Sequence, residues 1–317
     1  MPIGRFAPSP TGRLHLGNLR TALVSWLAAR TDGSELRLRF DDLDRSAVRT
    51  EHYGSQPDDL RALGLDWDGP PVRQSQRLAR YREAVERLVA TDLVYPCYCS
   101  RREIREAVQA PNRALAGHRY PGTCRELTAP ERRARTASGR PPALRLRGDE
   151  AEVGFADLVV GDVAYPVDDF VIQRNDGTPA YHLVTVVDDA DLGVELVVRA
   201  DDLLDSTSRQ LHVARLLDLP TADHAHVPLV LSPDGERLAK RHGSVTLDDR
   251  AVCGEDPANV LSFLAASLEL CPPGEPVTPS DLIERFDLVR LPTKPLVLER
   301  SFLDCGDRPQ KRYSETV

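Results

Sequence analysis

The sequence of 317 residues contains few lysines, few aromatic residues and no long apolar run. No stretch reaches the ~20 consecutive apolar residues that a transmembrane helix needs, and no hydrophobic signal core follows the N-terminal residues. These absences predict a cytoplasmic protein with no membrane partner. Acidic side chains outnumber basic ones by 49 to 41, and the resulting net charge of −8 excludes a simple basic coat for nucleic acid.

Lysine is so scarce that its three positions are informative: Lys240, Lys294 and Lys311. Arginine carries the remaining positive charge and is concentrated in one part of the chain. Residues 101–147 hold twelve arginines against four glutamates, a local charge of +8, so the rest of the chain carries −16. Prolines and glycines interrupt the same stretch, which predicts an irregular insertion between elements of a sheet.

The first forty residues have the pattern of a strand, a helix and a second strand. Residues 3–7 are extended, residues 17–30 place apolar side chains on one helical face, and Leu36, Leu38 and Phe40 alternate with charged residues. This pattern predicts a βαβ unit and therefore a parallel sheet, which binds its ligands at the carboxyl ends of the strands.

Later elements are predicted from the same signals. We expect a helix over 78–90, short strands that include 158–163 and 227–231, a turn at Asn175–Gly177, and a helix near 206–217. Asp256 and Thr278, each followed by proline, are typical helix N-caps. Residues 291–317 have weak periodicity and are expected to form a poorly ordered tail.

The segment from Arg5 to Asn18 places a proline-rich loop, His15 and Gly17 directly before a helix. Backbone N–H groups at a helix N-terminus attract phosphate, and a glycine there lets a nucleotide approach closely. On these residues alone, a structured loop with a capping histidine is an equally good interpretation.

These residues resemble the "HIGH" signature of class I aminoacyl-tRNA synthetases, in the form found in glutamyl-tRNA synthetases. The resemblance covers about residues 3–270, and further matching segments follow in the family's order: 20–23, 38–44, 63–68, 186–189 and, in place of the "KMSKS" loop, 237–243. It implies an α/β fold, with a Rossmann-like parallel sheet, a zinc-containing insertion and a small helical C-terminal region. The implied domains are a catalytic domain (1–94 and 168–235), the arginine-rich insertion (95–167), the KMSKS-like loop with a helical region (236–290), and the tail (291–317).

The resemblance also implies an ATP-dependent enzyme that activates L-glutamate as glutamyl-adenylate without tRNA. His15, Gly17 and Lys240 would be catalytic, Asn18 would join them in binding ATP, and Mg²⁺ would accompany the nucleotide. A cation beside the departing phosphates stabilises the transition state more than the ground state. Arg237 and Ala239 depart from the family's loop, and Lys240 has the alternative of being an ordinary solvated lysine.

Six residues are implied to bind glutamate: Arg5, Ala7, Ser9, Asp41, Tyr181 and Arg199. The arginines suit the two carboxylates because a guanidinium can hold a carboxylate through two hydrogen bonds, and Asp41 would face the ammonium group. The family usually has glutamate where this chain has Asp41. Taken alone, Tyr181 is better interpreted as a half-buried aromatic residue on a strand, and Arg199 as part of an edge salt bridge.

The sequence contains a C-x-C…Y-x3-C arrangement, formed by Cys97, Cys99, Tyr120 and Cys124. Three thiolates and one oxygen form a closed tetrahedral zinc site, which is structural because no coordination position stays open. On spacing alone, free buried cysteines are the more frequent outcome. A shortened branch of the glutamyl family carries this same pattern, so the resemblance implies one structural Zn²⁺ per chain, held by Cys97, Cys99, Tyr120 and Cys124.

Too few residues follow Asp256 for an anticodon-binding domain, which again favours the shortened branch. Members of that branch attach glutamate to the queuosine base in the anticodon loop of tRNA(Asp), so the implied partners of this expected monomer are ATP, L-glutamate and queuosine-carrying tRNA(Asp). We expect Arg132, Arg133 and Arg135 to contact that RNA, with a solvated loop as the alternative.

Three other functions stay open: an impaired paralogue that binds tRNA or nucleotide, a short synthetase that charges the tRNA 3′ end, and a nucleotidyltransferase with another acceptor.

Overall fold

The computed structural model describes residues 3–100, 102–104, 120–148, 152–238 and 245–303. Its strands are β1 (Ile3–Phe6), β2 (Leu36–Phe40), β3 (Val72–Arg73), β4 (Val94–Cys97), β5 (Ala143–Leu146), β6 (Glu152–Asp157), β7 (Gly161–Pro166), β8 (Phe170–Gln173), β9 (Val194–Ala200), β10 (Asp223–Val227), β11 (Val230–Leu231) and β12 (Leu296–Val297). Its helices are α1 (Leu16–Thr31), α2 (His52–Ala62), α3 (Leu78–Val89), α4 (Ala129–Ala137), α5 (Tyr181–Asp191), α6 (Leu204–Leu217), α7 (Leu247–Val252), α8 (Pro257–Ser267), α9 (Pro279–Ile283) and α10 (Arg300–Leu303). None of the helices in these ranges is long and apolar enough to cross a bilayer.

A seven-stranded sheet forms the centre of the fold, in the order β3-β2-β1-β9-β10-β6-β7. All neighbouring strands are parallel except the edge pair β6 and β7. The predicted βαβ unit is confirmed, because β1 and β2 pair in parallel and α1 connects them. The parallel arrangement brings the carboxyl ends of β1, β2 and β9 to the same edge of the sheet.

Strand β2 is buried along most of its length, and its burial extends to one of the two charged residues in the alternating pattern. Leu36, Leu38 and Phe40 pack in the main core with α1, while Arg39 on the opposite face is 0% exposed. The physical reason is that helices cover both faces of a parallel sheet. Of the two charged residues in the pattern, Arg39 is therefore buried, while Arg37 stays partly exposed.

A separate antiparallel sheet, in the order β4-β5-β8, stands beside the central one. Strands β6 and β7 lie within the predicted insertion, residues 95–167, yet they extend the central sheet. The expected strand over 158–163 is wrong in its first half. Asp157 accepts the backbone N–H groups of Val159 and Val160, and these bonds close a turn between β6 and β7.

The C-terminal part of the described chain is helical, and both predicted caps are confirmed. Asp256 and Thr278 each accept a backbone N–H from the third residue of their helices, α8 and α9. The expected strand over 227–231 is divided, because β10 ends before Pro228 and β11 pairs instead with β12. That pairing also corrects the expected tail, since Leu298 beside β12 is only 2% exposed.

Candidate active site

A cleft of about 660 Å³ opens where β1, β2 and β9 end. It contains every predicted glutamate- or ATP-binding residue that lies in the described chain: Arg5, Ala7, Ser9, His15, Gly17, Asn18, Asp41, Tyr181 and Arg199. Lys240 lies outside the described residues. The side chains come from distant parts of the sequence because parallel strands end at the same edge of a sheet.

His15 is the N-cap of α1, so the capping interpretation of this histidine is correct. Its Nδ1 accepts the backbone N–H of Asn18 at 3.3 Å, and the Asn18 side chain accepts the backbone N–H of His15 at the same distance. Burial lowers the pKa of His15, which favours the neutral ring. A neutral ring that accepts at Nδ1 carries its proton on Nε2, so capping leaves one N–H donor available in the cleft.

Gly17 makes room for the His15 ring. A Cβ atom at position 17 would lie 3.1 Å from two atoms of that ring, closer than ordinary van der Waals contact. The glycine predicted to admit a nucleotide therefore also permits the packing of the capping histidine over the first turn of α1.

Arg5 projects from β1 and is 4% exposed. Its Nη1 donates to the carbonyl oxygen of Val198 at 2.8 Å, and its Nε lies 3.5 Å from Asp189 Oδ1. Burial lowers the pKa of Arg5, while Asp189 opposes that change. One buried cation thus stands at the cleft with the Asp189 carboxylate beside it.

Asp41 directly follows β2 and is held from behind by Arg39. Arg39 Nε donates to Asp41 Oδ1 at 2.7 Å, and Arg39 Nη1 donates to Asp189 Oδ1 at 2.5 Å. Burial raises the pKa of Asp41, although Arg39 lowers it in part. One buried arginine thereby orients two carboxylates at the bottom of the site.

Arg199 lies on β9 between β1 and β10, so the edge salt bridge suggested by its sequence context is wrong. Its Nε donates to His226 Nε2 at 3.0 Å, and its Nη2 donates to Thr207 Oγ1 at 2.7 Å. Its Nη1 lies 3.4 Å from the hydroxyl of Tyr181, which begins α5 and does not lie on a strand. Within the described chain, no carboxylate lies within 4 Å of the Arg199 guanidinium.

Sequence reasoning missed the residues that hold the two arginines and Asp41 in place: Arg39, Asp157, Asp189, Thr207 and His226. A usable signal existed for two of them. Arg39 occupies a strand that a parallel sheet covers on both sides, and His226 follows His224 at strand spacing in a short apolar context. The partners of the other three depend on which strands and helices become neighbours.

Both ends of the KMSKS-like segment are attached beside the cleft. On the N-terminal side, Arg237 Nη1 lies 2.7 Å from Asp202 Oδ2, and both residues line the cleft. On the C-terminal side, the carbonyl oxygen of Val245 accepts the backbone N–H of Leu16 at 2.9 Å. Residues 239–244, which include Lys240, connect these two attachments in the sequence.

Cys97, Cys99 and Cys124 bring their sulfur atoms within 4.8 Å of one another. The Cys99 and Cys124 sulfurs are 3.5 Å apart, and the Tyr120 hydroxyl oxygen lies 3.4 Å from Cys97 Sγ and 3.6 Å from Cys99 Sγ. Bonds of ~2.3 Å to sulfur and ~2.0 Å to oxygen put tetrahedral ligands ~3.5–3.8 Å apart, so these donors fit a zinc ion. Burial raises the pKa of Tyr120.

A second cleft, of about 1020 Å³, lies between this cysteine cluster and the first cleft. Arg174 and Tyr181 line both clefts. The second cleft also contains Arg145, whose guanidinium stacks 3.7 Å from the centre of the Tyr120 ring, and the ion pair of Arg209 with Asp168. Cations and aromatic rings together therefore continue from the first cleft toward the cysteine cluster.

Residues 3–287 match the family described as tRNA synthetases class I (E and Q), catalytic domain. The chain belongs to this family. The resemblance drawn from the His15 and Lys240 segments is thereby confirmed, together with the α/β fold class and the assignment to the class I tRNA synthetases, which are ligases.

Relatives of this class I synthetase match it over most of their length. The Glutamyl-Q tRNA(Asp) synthetase of Nocardia farcinica is 53% identical over 295 residues, covering 93% of this chain and 92% of the relative. The Glutamyl-Q tRNA(Asp) synthetase of Symbiobacterium thermophilum is 47% identical over 308 residues, covering 93% and 95%. A glutamate tRNA ligase from Elizabethkingia meningosepticum, solved in complex with its amino acid, superimposes with a TM-score of 0.79 at 25% identity, covering 94% of this synthetase and 67% of that chain.

Proposed function

We propose that this synthetase activates L-glutamate with ATP, without tRNA, and then transfers the glutamate to the queuosine base in the anticodon loop of tRNA(Asp). The observation that carries the proposal is the pair of buried arginines, Arg5 and Arg199, at a cleft that also holds Asp41 and the capped N-terminus of α1. The names of relatives that match over more than nine-tenths of their length support the same activity.

Glutamate has two carboxylates and one ammonium group, and the cleft has charges for all three. Arg5 and Arg199 bind the carboxylates, and Asp41 accepts from the ammonium group. Ser9 and Tyr181 add hydroxyl hydrogen bonds, and Ala7 lines the cleft beside Ser9. Glutamine should be rejected because its neutral amide would leave a buried guanidinium without a counter-charge.

ATP binds with its phosphates at the N-terminus of α1, where His15, Gly17 and Asn18 lie. A carboxylate oxygen of glutamate attacks the α-phosphorus and forms a new P–O bond, while the bond from that phosphorus to the bridging oxygen breaks and releases pyrophosphate. The His15 Nε2–H donates to a phosphate oxygen, and Lys240 offsets the charge on the departing group. Mg²⁺, when bound with ATP, neutralises part of the phosphate charge.

The attachment of the two residues that flank 239–244 supports the role proposed for Lys240. A chain of six residues extends at most ~20 Å, and its two flanking residues, Leu238 and Val245, are attached beside the cleft.

In the transfer step, a hydroxyl oxygen of the modified base attacks the carbonyl carbon of the adenylate and releases AMP. The second cleft offers the adjoining RNA a surface of arginines and aromatic rings, which suits phosphates and unstacked bases. Arg133 and Arg135 on α4 are exposed and extend the basic surface. The RNA therefore contacts the insertion and the mouth of the active site.

The cysteine cluster holds one structural Zn²⁺ through Cys97, Cys99, Cys124 and Tyr120. It joins β4 to residues 120–124, and the apolar cluster that the described residues form there is small. The monomeric state and the cytoplasmic location stay predictions from the sequence.

Pyrophosphate exchange into ATP tests the activation step. Purified enzyme should catalyse exchange with L-glutamate in the absence of tRNA, and should do so poorly with L-glutamine or L-aspartate. No exchange at high enzyme concentration, with ATP binding retained, would favour the non-catalytic paralogue. Exchange with a different amino acid would change the substrate.

Mapping the product tests the transfer step. Labelled glutamate and ATP are incubated with tRNA(Asp) that either carries or lacks queuosine, and the tRNA is then cleaved into 3′ and anticodon fragments. Label should appear only in the anticodon fragment of queuosine-containing tRNA. Label at the 3′ end would instead identify a short synthetase of the ordinary glutamyl type.

A further inference from the structure

A chain of buried hydrogen bonds supports Arg199 from outside the cleft. Asp157, the last residue of β6, lies 2.6 Å from Nδ1 of His226, and Nε2 of His226 lies 3.0 Å from Nε of Arg199. His226 and the Asp157 side chain are 0% exposed, and Arg199 is 5% exposed. Three parallel strands, β6, β10 and β9, each contribute one member of the chain.

The partners determine which nitrogen of His226 carries the proton. Arg199 has only donors, so the nitrogen facing it, Nε2, accepts the hydrogen bond. Asp157 is an acceptor when ionised, so Nδ1 donates to it. Asp157 Oδ1 also accepts the backbone N–H groups of Val159, Val160 and His226, which stabilise the carboxylate.

The protonation states follow the same logic. Burial lowers the pKa of His226 and favours the neutral ring, despite the nearby Asp157. Burial acting alone would raise the pKa of Asp157, but hydrogen bonds from His226 and the backbone hold it below its ordinary value. A neutral histidine between a carboxylate and a guanidinium is consistent with every donor and acceptor in the chain.

The Arg199 guanidinium is thereby fixed on three sides. Of its five N–H groups, the one on Nε bonds His226. The two on Nη2 donate to Thr207 Oγ1 at 2.7 Å and to the Leu203 carbonyl at 3.4 Å. One of the two on Nη1 faces the Tyr181 hydroxyl at 3.4 Å. One N–H on Nη1 has no partner in the described chain, and Arg199 lines the cleft.

We propose that His226 is a positioning residue for glutamate binding, which Asp157 holds in the tautomer that orients Arg199 toward a substrate carboxylate. This inference rests on the proposed function, because it assigns the carboxylate of glutamate to the free donor of Arg199. Strand β6, which lies next to the edge strand β7, thus contributes to amino-acid recognition without reaching the cleft.

Asp157→Asn tests the tautomer directly. The asparagine oxygen can still accept the backbone N–H groups of the turn, while its NH₂ group donates to His226 Nδ1. The ring proton then moves to Nε2, where it faces the Arg199 N–H and removes the acceptor for that donor. We expect the KM for glutamate to rise roughly tenfold or more, the scale of a lost hydrogen bond to a charged group, with the KM for ATP unchanged. Nitrogen-15 NMR of labelled histidine should show the change from the Nδ1–H to the Nε2–H tautomer.

Two variants of His226 keep the test decisive if Asp157→Asn does not fold. His226→Asn can still donate to Asp157 but does not reach Arg199, so its glutamate KM should rise as much. His226→Gln can place an oxygen near Arg199 Nε, so its KM should rise less. His224→Asn is the matched control, since His224 stacks on His226 in the same strand without a hydrogen bond to Arg199, and its glutamate KM should not change.

The outcomes separate this inference from the proposed function. Unchanged glutamate KM in folded Asp157→Asn and His226→Asn would overturn the inference, while exchange by the wild type would still support glutamate activation. If the wild type does not use glutamate, the proposed function fails, and with it the assignment of the Arg199 donor. An Nε2–H tautomer in the wild type would overturn the role of Asp157 whatever the substrate.

Discussion

Arg39 and Asp41 form a buried ion pair at the carboxyl end of β2, in which Arg39 Nε donates to Asp41 Oδ1 at 2.7 Å. The pair fixes the position of the Asp41 carboxylate at the cleft. Because Arg39 also bonds Asp189, one fully buried guanidinium orients both acids at the proposed glutamate site.

Asp41→Asn removes the charge proposed to bind the substrate ammonium group. We expect the KM for glutamate to rise at least ~tenfold, with the KM for ATP nearly unchanged, in the pyrophosphate exchange assay. Asp41→Glu keeps the charge and extends its reach, so its glutamate KM should stay equal or fall. Equal losses in the two variants would contradict an interaction between this carboxylate and the ammonium group.

Lys240→Ala should slow adenylate formation far more than it weakens ATP binding. Loss of one group that stabilises charge in a transition state typically costs ~100- to 1,000-fold in kcat, whereas ATP keeps its contacts at the N-terminus of α1. Single-turnover kinetics and calorimetric ATP binding measure the two effects. Lys294→Ala, at an exposed position, is the control, and a parallel loss of binding and rate in Lys240→Ala would contradict the assigned role.

Zinc should co-purify at about one ion per chain, as measured by elemental analysis. Cys124→Ser should reduce the zinc content and lower the melting temperature, because a structural ion stabilises only the folded chain. Cys271→Ser, at a buried cysteine that bonds the Ser262 carbonyl, should leave the zinc content unchanged. A folded wild type without metal and with an unaltered melting temperature would refute the site.

Arg133→Glu together with Arg135→Glu should weaken tRNA binding by roughly tenfold or more at physiological salt and reduce its salt dependence. Activation of glutamate without tRNA should not change. Arg132 is better left intact, because its Nε donates to the Leu127 carbonyl and supports the start of α4. Arg82→Glu with Arg290→Glu makes the same change in net charge at other exposed positions, and equal weakening there would indicate a general charge effect.

Stability should fall as the pH drops below about 6.5, the ordinary histidine value. Burial lowers the pKa of both His182 and His224 to about 3, so between these limits the unfolded chain binds protons that the folded chain does not. Protonation of each of these histidines in the unfolded chain then lowers the free energy of unfolding by about 1.4 kcal/mol for every pH unit of acidification. Urea unfolding from pH 7 to 4 measures the slope, and His224→Asn should reduce it by about one such increment. An identical slope would show that His224 titrates normally in the folded state.

Much of the first cleft could be predicted from the sequence, because its motifs are local. The segment from Arg5 to Asn18 contains both the strand end and the helix start, and the caps at Asp256 and Thr278 bond residues only three positions away. Hydrogen bonds of this range depend on neighbours in the chain and are therefore visible as spacing. The resemblance supplied Tyr181 and Arg199, whose local context alone favoured other interpretations.

The sequence by itself determined the parallel sheet, the helix caps and the residue types of the cleft, since these depend on periodicity and short-range bonds. Only the tertiary structure decided that β6 extends the central sheet, that β12 pairs with β11, and that Arg199 is held through His226 by Asp157. Asp157 and His226 are 69 positions apart. Such contacts follow from which strands become neighbours, and strand order depends on how the whole chain buries its apolar faces.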